Sequence, residues 1–294
     1  MTIIAGFSAS GQGSAPLHLA VQLARTTGEK LIATTVLETG PALSSDQVER
    51  EYQSHRASQS MRSLERAVGE MRTDLDISLV IHHSASVPRG LMELTTEHNA
   101  DVVVVGSSSS GLLGRIALGS VTERLVHTAK VAVAIAPRGY PPSPLPVQRL
   151  TVAYGGAADT KKLIRSVAEL VTQWRVQMRI ASFTVRPPQM FGGSIESSAE
   201  DLVTEQWVRQ TELAVRSQLD EARASIEIAD VDLVIGSGTD WSQAVNDIAW
   251  KSGDLLVLGS GAAGPRAQVF LGSAASKILR HVPVPVMIVP SPQT

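Results

Sequence analysis

The chain has 294 residues, 43% hydrophobic and 18% charged, with a formal net charge of −2; that suits two domains of ordinary size and excludes a disordered chain. Residues 1–140 hold 12 Lys and Arg against 13 Asp and Glu, and the remainder 14 against 15, so neither half has the positive excess that draws proteins to nucleic acid or anionic membranes. The absence of cysteine removes disulfides, thiolate metal sites and cysteine nucleophiles and is compatible with a cytoplasmic location.

In chain order, the first half reads as a strand at 2–7, a small-residue loop, and a helix at 14–27 with Pro16 in its first turn. The N-terminus carries no basic residue before its apolar stretch and is read as this strand, not as a signal peptide. A strand at 30–37 precedes a long helix at 46–71, whose Val48, Tyr52, His55, Met61, Leu64 and Val68 keep one face apolar. Its mixed charges, among them Glu49, Arg50, Arg62 and Glu65, mark a solvated face. A strand at 77–81, a helix at 89–98, a strand at 102–105, a helix at 121–128 and a strand at 131–136 follow. The second half repeats the series: strands at 150–154, 178–185, 231–235, 255–258 and 284–289, helices at 160–173, 200–229, 242–252 and 274–281. No apolar run approaches the roughly 18 residues that span a bilayer.

The halves are two copies of one unit. Gly106, Gly119, Ser120 and Pro137 recur as Gly259, Gly272, Ser273 and Pro290, each displaced by the same interval without a gap. The runs at 102–105 and 255–258 lack alternation, as befits central parallel strands covered on both faces. Strands separated by helices specify an α/β chain: two tandem doubly wound, Rossmann-like domains with five-stranded parallel sheets, related by a pseudo-two-fold axis. We place the domains at 1–140 and 148–294, joined by the proline-rich linker 137–148. The final strands, 131–136 and 284–289, are apolar edges that need cover. They are expected to pair with each other, with Pro285 limiting the contact to side-chain packing and a few ladder bonds.

Several motifs point elsewhere but weakly. Gly11-Gln12-Gly13 lacks the third glycine of a dinucleotide fingerprint, because Pro16 stands in its place. His82 and His83 are adjacent in a strand, so they face opposite ways and do not suit one metal ion. Ser107–Ser110 is not a nucleophile elbow, and no catalytic residue is identifiable. The segment 187–197 reads as an exposed loop holding Met190 and Phe191, a lid or a partner contact.

The segments Gly106-x2-Ser109-x9-Gly119-Ser120 and Gly259-x2-Ala262-x9-Gly272-Ser273 resemble the nucleotide-binding motif of the universal stress protein family: Gly, two residues, Gly, nine residues, Gly, then Ser or Thr. The strand and helix order resembles that family over nearly the whole chain. The resemblance implies ATP or another adenine nucleotide in a crevice formed by Ala5, Gly6, Ser8, Val36, Gly106 and Gly119, with phosphates on Ser109, Ser120 and Val121 and with Ser107 and Thr122 as further polar groups of the site. A helix N-terminus suits an anion through its unpaired N–H groups and partial positive charge. Val185, Gly259, Ala262, Gly272 and Ser273 form a weaker second site. The departures are specific: Ser109 and Ala262 replace the second motif glycine, and Ser8 and Gly155 stand where nucleotide-binding members carry Asp. Two readings stay open: a nucleotide-responsive regulator using the first half, or a member that has lost nucleotide and acts through protein contacts. A homodimer is compatible with either.

Overall fold

The computed structural model describes residues 2–9, 13–39, 47–71, 74–155, 159–185, 194–224, 226, 230–262 and 269–290. The first half comprises β1 (Thr2–Gly6), α1 (Ala15–Thr27), β2 (Lys30–Glu38), α2 (Gln47–Val68), β3 (Ile77–Ser84), α3 (Val87–Glu97), β4 (Val102–Gly106), α4 (Ser120–Thr128) and β5 (Ala132–Ala136). The second comprises β6 (Arg149–Tyr154), α5 (Asp159–Trp174), β7 (Gln177–Val185), α6 (Ser194–Arg223), β8 (Val231–Gly238), α7 (Trp241–Asn246), β9 (Asp254–Ala262), β10 (Val269–Phe270), α8 (Ser273–His281) and β11 (Val286–Pro290).

The strands lie in the order β3-β2-β1-β4-β5-β11-β9-β6-β7-β8. Within each half the five strands of this path are parallel. Alternate strand positions feed two apolar layers. Ile3, Ala5, Val102 and Val104 face α1, whereas Ile4, Val103 and Val105 face α3 and α4. The strand order reverses between β1 and β4, and again between β6 and β9, which opens a crevice at the carboxyl ends of those strands.

The final strands do meet, through the short ladder expected, but that ladder is enough to make the sheet continuous. β5 and β11 form an antiparallel ladder, Val286 opposite Ile135, Met287 opposite Ala134 and Ile288 opposite Val133, so one sheet runs through both halves. Pro285 lies just outside the ladder, and its carbonyl accepts from Leu256 N at 3.0 Å. Met287 and Ile288 are buried there, so the pairing covers apolar surface and satisfies two edges together.

The linker is strapped along α1. His18 Nδ1 meets the Tyr140 carbonyl at 2.7 Å, and Tyr140 Oη donates to Gln22 Oε1 at 2.6 Å. Gln22 Nε2 donates to the Leu145 carbonyl, Arg25 Nη1 to the Ser143 carbonyl, and Val147 N to Thr26 Oγ1. His18, Gln22, Arg25 and Thr26 share one helix face by their spacing. Proline leaves such a strap few backbone donors, and α1 side chains supply the polar partners.

Three elements depart from expectation. Helix α6 begins at Ser194, so the last part of the expected 187–197 loop is helical, while 187–193 lies outside the described residues, as do Gly11 and Gln12. Helix α7 spans six residues and stops at Asn246, short of the expected 252. The strand expected to end at 258 continues to Ala262 and pairs back with β10, Val269 opposite Ala262 and Phe270 opposite Gly261. Among the described residues no helix is long and apolar enough to cross a membrane.

Candidate functional site

The first-half crevice is framed by the end of β1, the end of β2, and the loop from Gly106 to α4. Ala5 is fully buried, its methyl in the α1 layer, so only its backbone borders the crevice. Gly6 pairs with Thr34, and Phe7 N donates to the Thr34 carbonyl at 2.7 Å; Ser8 follows, exposed. Val36 pairs with His82 and leans on α3: its Cγ1 is 2.6 Å from where a Cβ on Gly90 would sit. A Cβ on Gly106 would stand 3.2 Å from Pro16 Cγ, and one on Gly259 3.2 Å from Leu163 Cδ2. Both glycines therefore let the first helix of their half, α1 or α5, pack closely on the strand end, a reason for glycine that needs no ligand.

The loop 107–119 is folded across itself. Ser107 N donates to the Ala136 carbonyl and Ser108 N to the Ala117 carbonyl at 2.8 Å. Ser107 Oγ accepts from Ala117 N at 2.8 Å and donates to the Ala117 carbonyl at 3.2 Å. Thr122 Oγ1 donates to the Gly106 carbonyl at 2.9 Å and is buried. These two hydroxyls hold the loop and α4 in place, whereas they were expected as polar groups toward the nucleotide. Ser108 and Ser110 share a hydroxyl contact of 2.8 Å. Ser109 and Ser120 are exposed, and Val121 packs beneath on the α3 and α4 layer.

Helix α4 starts from Gly119 in an extended conformation, and no side chain caps it. Ser120 is thus the first helical residue instead of the cap. A Cβ on Gly119 would touch nothing closer than Ser108 Cβ at 3.5 Å. The start of α4 can therefore offer first-turn N–H groups to an anion. Ser109 carries no left-handed strain, because Asn99 and Arg175 are the non-glycine residues of positive φ among the described residues.

Beside the crevice stands a polar cluster shared by β3 and α3. His82 Nε2 lies 2.9 Å from Glu93 Oε2, and Arg89 Nε donates to Glu93 Oε1 at 2.8 Å. The hydrogen bonds from His82 and Arg89 pull the Glu93 carboxyl down to about 2. Glu38 Oε1 accepts from Val87 N at 3.2 Å, capping α3 from the neighbouring strand.

The second half keeps the loop skeleton and changes the fittings. Register aligns Ile3 with Leu150 against β4 and β9, and Leu31 with Met178 against β1 and β6. Phe183 therefore occupies the place of Val36, and Val185 lies two positions further, opposite Gly238. The pairing of Phe270 with Gly261 corresponds to the contact of Ala117 with Ser108, extended by one pair into a hairpin. Gly259 sits in the ladder opposite Val289, and Ala262 lies in the hairpin. Ser260 Oγ donates to the Val289 carbonyl, and Ala275, in the place of Thr122, has no hydroxyl to tie α8 back. Gly272 and Ser273 open α8, again without a side-chain cap.

Sequence reasoning missed two loop arginines. Arg138 donates to the Gly111 carbonyl, and Arg115 reaches into the second half. Arg115 has Gln268 at the corresponding repeat position; a lone charge in a loop was the sole signal. Leu112 and Leu113 are 78% and 75% exposed at the loop tip.

The universal stress protein family model matches residues 1–137 and 146–290. The chain is similar to universal stress protein Rv2319c of Mycobacterium tuberculosis and to universal stress protein Mb2346c of Mycobacterium bovis. Each is 35% identical over 297 residues, covering 99% of this chain and 100% of the relative. A universal stress protein crystal structure from Archaeoglobus fulgidus, 17% identical, covers 99% of this chain and 98% of that one with a TM-score of 0.63, a likeness of fold. The repeated loop, the reversed strand order and these full-length matches lead to one conclusion: the chain belongs to the universal stress protein family, as a member with two such domains.

Proposed function

We propose that this protein is a nucleotide-responsive regulator that holds ATP or a related adenine nucleotide in the first half. The nucleotide would lie beyond Ser8, Val36 and Gly106, its phosphates at the start of α4. The observation that carries the reading is the uncapped N-terminus of α4 beside a braced loop, with Ser109 and Ser120 exposed next to it. The adenine base follows from the family motif. Ser107 and Thr122 serve by fixing the loop, and regulation would act through ligand-biased conformation, not turnover. The division at 1–140 and 148–294 belongs to the same proposal.

A second reading has its own observation. Leu112 and Leu113, exposed on the loop tip, favour a protein partner that docks on the loop without nucleotide. Mass spectrometry of the denatured purified protein and calorimetric titration with millimolar ATP separate the readings. Gly119→Asp places a carboxylate where phosphate charge is expected, and a Cβ there meets only Ser108 at ordinary contact distance, which suits a variant that folds. Affinity should fall by roughly a hundredfold, a few kcal/mol, in Gly119→Asp and hold in Gly272→Asp. Unchanged affinity in a folded Gly119→Asp protein, or no binding by the parent, sinks the first-half site.

A further inference from the structure

We infer that Arg115 clasps the first half's candidate ligand loop to the carboxyl ends of two second-half helices, making the order of loop and helix ends a single coupled property. Arg115 Nη1 donates to the carbonyl of His281, the last residue of α8, and Nη2 donates to Oδ1 of Asn246, the last residue of α7, at 3.2 Å. A helix carboxyl end presents carbonyls without intrahelical donors and a partial negative charge. A guanidinium answers both, because its fork delivers several donors and a fixed positive charge.

The base of the clasp is rigid. Arg115 N donates to the Leu112 carbonyl at 3.1 Å, its carbonyl accepts from Arg138 N at 3.0 Å, and Gly114 N donates to the Arg138 carbonyl at 2.9 Å. Gly114 takes a left-handed φ of 71°, the turn that aims Arg115 across the seam. The loop segment holding Arg115 is the one closed by Ser107, Ser108 and Ala117. From the other side, β10 packs against α4, so each half's loop touches a helix of the other half. The repeat places Gln268, not arginine, at the position corresponding to Arg115.

Helix α8, which Arg115 grips at its carboxyl end, opens at Gly272 and Ser273, the counterparts of Gly119 and Ser120. A ligand that orders 107–119 is therefore felt at the helix carrying the second loop, and the second half tunes affinity in return. This ligand arm rests on the proposed nucleotide reading; the clasp itself does not.

Hydrogen exchange and ATP titration on the full chain test both, using Arg115→Ala, Arg115→Lys, Asn246→Ala and the double variant Arg115→Ala/Asn246→Ala. Without nucleotide, Arg115→Ala should speed exchange in 107–119 and at the ends of α7 and α8. Asn246→Ala, a change made only in the second half, should also speed exchange in 107–119. The double variant should match Arg115→Ala, because both remove one shared contact. With ATP, affinity should fall about three- to tenfold in Arg115→Ala and less in Asn246→Ala, again without additivity. Unchanged exchange of 107–119 in Asn246→Ala, or additive effects, overturns the inference. Should the parent bind no ATP, the nucleotide reading fails while the exchange comparison still decides the clasp. Should Arg115→Ala misfold, Asn246→Ala and Arg115→Lys decide it.

Discussion

The two halves bring a helix against the same pair of strand positions by putting glycine on opposite sides of the contact. In the first half the glycine is on the helix: a Cβ on Gly90 would stand 2.6 Å from Val36 Cγ1, 3.0 Å from Ser84 Cβ and 3.1 Å from His82 Cδ2. In the second half glycine is on the strand: a Cβ on Gly236 would stand 2.1 Å from the Ala244 carbonyl oxygen, and one on Gly238 2.5 Å from Ala244 N. Register makes His82 and Ser84 the counterparts of Gly236 and Gly238. The copies thus share a close approach, not a residue. The choice has a chemical consequence, since only the first half keeps a strand side chain, His82, to bind the helix carboxylate Glu93. Asp247 of the second half accepts a backbone N–H from Ser237 instead.

The halves differ again on β2 and β7. Arg179, 2% exposed, takes the position that Ile32 fills in the first half. It bonds Thr151 Oγ1 and the Ala249 carbonyl, pairs with Asp254 at 3.3 Å, and lies 4.9 Å from the Trp250 ring centroid. Burial, with the nearby Arg149, lowers the Arg179 guanidinium from its ordinary value. Asp254 also holds Arg149 through two bonds and accepts from Lys251 N. Its counterpart Asp101 is exposed and accepts from Thr2 N.

The largest expected effect breaks this second contrast. Asp254→Ala leaves Arg179 buried without its counter-ion and should cost about 3–5 kcal/mol; Asp101→Ala should cost under about 1 kcal/mol. Equal losses in urea unfolding would erase the distinction between the halves. Next in size, Gly236→Ala sets a methyl against backbone and should cost about 3 kcal/mol or slightly more. Gly90→Ala should cost about 1–2 kcal/mol, because overpacking outweighs the gain in helix propensity. Val36→Ala should partly rescue Gly90→Ala, since the obstacle is a side chain, and Ala244→Gly should not rescue Gly236→Ala, since the obstacle there is a carbonyl. Rescue in both or in neither would show that the contacts are alike.

The smallest effect is a pH dependence confined to the first half. The Glu93 carboxyl is lowered from 4.5 to about 2. A depressed carboxyl contributes stability above its unfolded value, and that contribution declines as pH falls from about 4.5 toward about 2. The stability difference between the parent and Glu93→Gln should therefore be present at neutral pH and shrink through that window. A difference that persists unchanged at pH 2 would remove the ion cluster as its source.

Much of this architecture was legible in the chain. The constant displacement of Gly106, Gly119, Ser120 and Pro137 marks two copies, and the unbroken valines of β4 read as a central strand, all buried in the fold. The candidate loop was legible as a loop, but its internal wiring was not. Ser107 and Thr122 look like ligand-facing hydroxyls in sequence, and three-dimensional closure gives them carbonyl and amide partners at Ala117 and Gly106. The hairpin of β9 and β10 went unread because two residues of β10 carry too little periodicity to register.

Local pattern by itself determined strand and helix order, the doubling, and the glycine loop that opens a helix, because periodicity, turn chemistry and repetition are properties of neighbouring residues. The apolar final strands also announced their own pairing, but only the tertiary structure decided that β5 and β11 do so as an antiparallel ladder that makes one sheet, that α1 holds the linker, and that Arg115 caps helices of the other half. Each of those depends on which unsatisfied edges, carbonyls and charges meet after the chain has folded. The partners of Arg115 and of the α1 face lie more than a hundred positions away, and nothing in the neighbouring sequence announces them.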